Sequence, residues 1–179
     1  LCEMDKSMHF NPFPYIRNKS DITKLVTNLI QNTNSPNIKN SSADPFWEKA
    51  EKMFLESLFL YVWMECPKAY FNTEKGKVEL LQQNWKSILF LLDEAQFLDN
   101  DTPPKLDERM NELARKKTDH PAVKAYQRYR GGPDDTIRSV IMTVNARMQP
   151  FDNEELLEIF SSRWRWKDKE QSVHYYSGR

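Results

Sequence analysis

Glycine is scarce in this chain: only four of 179 residues, at positions 76, 131, 132 and 178. That spacing cannot write a GxxxxGKS/T phosphate loop or a GxGxxG dinucleotide turn, both of which need backbone that reaches a phosphate without a Cβ in the way. No GxSxG is present either, and the three histidines, His9, His120 and His174, form no HExxH. Cys2 and Cys66 are the only cysteines, and neither has a Cys or His neighbour at metal-ligand spacing, which excludes a disulfide framework or zinc site and fits a reducing, cytosolic setting. The longest apolar run, Leu58–Met64, falls far short of the ~20 residues that span a bilayer, so no membrane insertion is expected. The opening LCEMDKSMHF lacks the charged-then-apolar layout of a signal peptide, and the glycosylation patterns at Asn18 and Asn40 are then coincidental. Net charge is absent as well: 26 basic residues balance 26 acidic ones, so the overall field draws the chain to neither nucleic acid nor an anionic membrane.

What is there is helix punctuation. Ser20 is placed to cap a helix carrying Ile22, Leu25, Val26, Leu29 and Ile30 at one-sided spacing. Asn- and Ser-rich residues 32–43 read as a loop. Asp44 with Pro45 opens a helix running to about Cys66, whose second half, MFLESLFLYVWM, is apolar on nearly every side and so belongs at the centre of a fold. Val78, Leu81, Trp85, Ile88, Leu89 and Leu92 mark another helix, and a charged one lies around Leu106–Lys117. Asp119, with Pro121 just inside, starts a helix bearing Val123, Tyr126 and Tyr129. Gly131-Gly132-Pro133 ends it, since glycine takes left-handed dihedrals cheaply and proline cannot continue. Asp134 and Asp135 favour the positive end of the next helix, where Ile137, Ile141, Val144 and Met148 share a face until Pro150. Asp152 with Glu155 suggests a capping box, with Phe151 stapled on Leu156. No segment alternates apolar and polar residues over any length. The fold class is all-α: a single compact bundle of six to eight helices with an irregular N-terminal segment.

Candidate chemistry is thin. His120, between Asp119 and Pro121, reads as a first-turn helix residue rather than a ligand. Glu56 and Glu65 lie on the most apolar helix, where burial raises a carboxyl pKa, but no second catalytic group pairs visibly with either. Trp47, Trp63 and Trp85 read as core filling. Charge is uneven: residues 115–147 hold eight basic and three acidic side chains, whereas Asp152–Glu158 is acidic. The cargo-binding candidates are Arg115, Lys116, Lys117, Arg128 and Arg130, whose local positive charge suits an acidic protein surface or a DNA strand. Beside Arg128 and Arg130, Tyr126 and Tyr129 read as packing residues, with base stacking the minority reading.

The words MDKSMHFNPFPYIR (Met4–Arg17), DITKLVTNLIQNT (Asp21–Thr33), DPFWEKAEKMFLESLFLYVW (Asp44–Trp63) and SVIMTVNARMQPFDNEELLEIF (Ser139–Phe160) resemble, in that order, the all-alpha domain of TraG-like coupling proteins, the motor ATPases of bacterial conjugation and type IV secretion. The likeness covers residues 4–160 and is weakest between Glu74 and Ala122; after Arg163 the pattern is lost.

This resemblance implies an excised domain: residues 1–19 a connection from the flanking motor domain, 20–163 the all-alpha substrate-receptor domain, and 164–179 a divergent tail or artificial addition. It implies a parent anchored at the cytoplasmic side of the bacterial membrane, hexameric and ATP-hydrolysing, whose nucleotide motifs lie outside this segment. It also implies partners: relaxase and relaxosome accessory proteins, and single- or double-stranded DNA as a second ligand. The expected role is cargo recognition without enzymatic activity or a cofactor; the alternative is a DNA-binding helical domain acting through a local basic patch.

Overall fold

The computed structural model describes residues 11–33, 45–67, 81–98, 102–161, 166–167 and 173–174. Among the described residues seven α-helices follow one another: α1 (Lys19–Asn32), α2 (Pro45–Glu65), α3 (Trp85–Glu94), α4 (Lys105–Lys116), α5 (Pro121–Arg130), α6 (Asp134–Met148) and α7 (Glu154–Ser161). Outside them, Trp166–Lys167 pairs antiparallel with Val173–His174 in a minimal two-stranded ladder. The all-α class holds.

Helix α2 is the axis, packing along α5, α1, α6 and α3. Its apolar half is buried as its composition requires: Phe54, Leu55, Leu58, Phe59, Leu60 and Val62 lose nearly all contact with water. Helix α5 runs antiparallel to it, because Phe54 stacks on Tyr129 near the end of α5 (4.6 Å between centroids) while Glu65 meets His120 at its start. The stripe Ile137, Ile141, Val144 and Met148 faces the core as its spacing predicts. Trp85 anchors an aromatic cluster with Phe59 of α2, Phe151 of the 3-10 turn after α6, and Phe160 of α7.

Several local expectations are corrected. Asn18, not Ser20, caps α1, its side chain accepting from the Asp21 N–H at 3.1 Å. Asn84 caps α3, so Leu81 precedes that helix instead of belonging to it; Val78 lies outside the described residues. His120, not Asp119, caps α5, its Nδ1 accepting from the Ala122 N–H. Gly131 closes α5 in a right-handed conformation (φ −71°), and neither it nor Gly132 takes a positive φ, so the stop comes from Pro133, which disfavours helix at Gly132 and offers no N–H. Trp47 is 38% exposed at the head of α2, Trp63 is partly buried, and only Trp85 is core, at 3%.

Candidate functional site

The basic residues of the α4–α5 hairpin do not form one patch. Tyr126 and Arg130 both reach Asp107 in the first turn of α4, so the helices run antiparallel and Arg128 lies toward the start of α4, whereas Arg115 sits in its last turn.

Three of the five candidates hold acidic partners. Lys116 bonds Glu112 at 2.6 Å one turn back, which pulls the Glu112 carboxyl below its usual range. Lys117 bonds both oxygens of Glu65, at 2.7 and 2.9 Å, tying the end of α4 to the end of α2. Arg130 is clamped by Asp107 and by Asp134 at 2.7 Å. Burial works against its charge, but the two carboxylates outweigh that and hold the guanidinium protonated, while Arg130 draws the Asp134 carboxyl below its ordinary value. Arg115 and Arg128 differ. Both are exposed, and among the described residues neither forms an ion pair. Lys124, one turn before Arg128 on the same face, leans on Asp119 at 2.7 Å.

Tyr126 and Tyr129 are 4% and 5% exposed, and their hydroxyls are spent on Asp107 and on the Ile137 carbonyl. Burial, and then the Asp107 charge, push the Tyr126 phenol upward. Neither ring is placed to stack on a base; both are packing residues.

A second cluster gathers where α2 and α4 end and α5 begins. His120 is buried, capping α5 through Nδ1, and its Nε2 lies 3.0 Å from Glu65 Oε1 but off the line of a good hydrogen bond. Burial lowers the His120 pKa from its usual 6.5, with Glu65 opposing and Lys117 and Lys19 assisting. Glu65 is thus one joint for three helix ends.

The model of the family described as type IV secretory system conjugative DNA transfer matches residues 2–168. The chain belongs to that family. No curated protein and no solved structure matches it. In this conjugative transfer protein, no helix among the described residues is long and apolar enough to cross a membrane.

Sequence reading missed two groups. Arg147 of α6, half of the Ala-Arg word before Pro150, binds Glu51 at 2.7 and 3.0 Å and also donates to the Ile30 carbonyl and Thr33 Oγ1 at 2.8 Å each, with both charged side chains 10% exposed or less. A glutamate one helical turn from Phe54 and Leu55 was the available signal, since that phase is buried. Phe46 and Trp47 form an edge-to-face pair, 5.7 Å apart, half and over a third exposed. Helical phase alone continues the buried stripe back from Ala50 to these two, so their exposure at the end of α2 was not legible.

Proposed function

We propose that this helical body is the cargo-receiving module of a conjugative coupling protein, working on the cytoplasmic side of the membrane beside an ATPase domain of its parent, which assembles as a hexamer. It binds relaxase and relaxosome accessory proteins by surface complementarity and makes or breaks no covalent bond. The observation that supports this reading is the distribution of charge: Lys116, Lys117 and Arg130 are each paired with a carboxylate, the last two across helices, while Arg115 and Arg128 present their guanidinia to solvent from two mutually braced helices. Charges held this way steer an acidic partner and set its register, and guanidinium is the donor suited to bidentate carboxylate contacts. Contact with DNA would rest on phosphates, because the neighbouring tyrosines are buried.

The test is capture of purified relaxosome proteins by this chain and by two variants. Changing Arg115 and Arg128 together to alanine should weaken capture about tenfold, ~1.4 kcal/mol, while Lys116→Ala should leave it within twofold. Equal binding by wild type and the double variant moves the docking surface elsewhere; no capture of any relaxosome protein by wild type removes the receptor reading itself. Affinity for DNA alone, falling steeply with salt, would instead mark the basic-patch alternative.

A further inference from the structure

Residues 11–17 enter the bundle as a fixed part of it. Asn11 is 4% exposed and Phe13 1%. The Asn11 carboxamide works in two directions: Oδ1 accepts from the Phe13 N–H at 3.1 Å, closing a local turn, and Nδ2 donates to the Gln83 carbonyl at 2.8 Å. The Phe13 ring stacks on Phe59 of α2, centroids 5.8 Å apart. Pro12 and Pro14 fix their own φ angles on either side, so this stretch has little freedom to absorb a displacement.

Gln83 carries the connection onward. Its side-chain Nε2 donates to the carbonyls of Trp63 (2.8 Å) and Cys66 (3.1 Å), and its backbone N–H donates to the Pro67 carbonyl (2.9 Å). These groups belong to the last turn of α2 and its exit, where helix carbonyls lack intrahelical partners. Glu65 stands in that same turn, holding Lys117 and abutting His120. A continuous line of hydrogen bonds and packed side chains thus runs from Asn11 to the α4–α5 corner.

We propose that residues 11–17 are an input lever: displacement of the chain ahead of Asn11 passes through Gln83 to the last turn of α2 and, by way of Glu65, moves the corner formed by Lys117 and His120. Close packing favours this route, because dense interiors transmit strain and do not dissipate it. The device operates whether or not the α4–α5 hairpin holds cargo, so the two proposals fail separately.

The His120 imidazole is the reporter at the far end, read by NMR in the full chain. Asn11→Ala should displace the His120 Cε1–Hε1 signal and its titration midpoint. Val140→Ala, a buried change on α6, which supplies no residue to this line, should leave both in place. Made on a Gln83→Ala background, Asn11→Ala should move the reporter less, because the side-chain link to α2 is already cut. An unmoved His120 signal in Asn11→Ala, or an equal movement in Val140→Ala, overturns the lever. An undiminished effect on the Gln83→Ala background overturns its route. If Gln83→Ala does not fold, the comparison of Asn11→Ala with Val140→Ala decides alone.

Discussion

Removing the Arg147 guanidinium should be among the most damaging single changes in this chain. Its side chain is 10% exposed and that of Glu51 7%, so Arg147→Met strands a buried carboxylate and leaves the Ile30 carbonyl, in the last turn of α1, with only the Thr33 hydroxyl at 3.5 Å. Leaving one buried charge without its partner costs about 3–5 kcal/mol, and a poorly satisfied carbonyl adds ~1 kcal/mol. For a domain of this size that corresponds to a fall in Tm of roughly 10–20 °C. Urea denaturation followed by circular dichroism measures it directly. Arg147→Lys keeps the charge but cannot reproduce the fork that meets Glu51 and α1 together, so an intermediate loss of about 1–2 kcal/mol follows. The discriminating variant is the double replacement of Glu51 and Arg147 by methionine, which leaves no charge buried and should recover most of the stability lost by Arg147→Met. A single variant that loses under ~1 kcal/mol, or a double variant whose loss equals the sum of the singles, refutes the account of this pair.

Stability should also depend on pH through His120. Its folded pKa lies below 6.5, so as pH drops under 6.5 the unfolded chain takes up a proton that the folded chain refuses. The contribution is complete above about 6.5 and is lost as pH falls through the folded value; His120→Asn, which keeps a capping acceptor without titrating, should flatten that part of a denaturation midpoint against pH profile. Trp85→Ala should cost ~3–5 kcal/mol and Trp47→Ala ~1 kcal/mol in chemical denaturation, because one ring fills a buried aromatic cluster and the other is 38% exposed at the head of α2. The Cys66 thiol, buried and pushed up by that burial to about 11, should resist alkylation at pH 8 in the native chain and react on unfolding, as peptide-resolved mass spectrometry would show.

Helical phase was the most legible signal. Ile22, Val26 and Ile30, or Ile137, Ile141 and Val144, lie at steps that leave one reading, and each stripe is buried. Caps were less legible, because Asn18 and Ser20, or Asp119 and His120, all carry acceptors suited to the position; which one is used depends on where the chain turns in space. Charge partners were not legible beyond one helical turn. Lys116–Glu112 is a local pair readable from spacing, but Lys117–Glu65 and Arg147–Glu51 join residues 52 and 96 positions apart. That is why Lys117 could be named from sequence as a basic candidate while its partner Glu65, on another helix, could not.

The Glu51–Arg147 clasp bears on what kinship means for this protein. Glu51 falls within one of the words that carried the resemblance and Arg147 within another, and both point inward, as does Phe13 from a third. At these positions the words therefore encode scaffolding, though they also hold exposed side chains such as Tyr15, Phe46 and Met142. Two chains that shared those buried positions would share a shape while remaining free to differ wherever side chains meet solvent. Transplanting exposed residues from one such frame to another should therefore change its surface while leaving the fold intact.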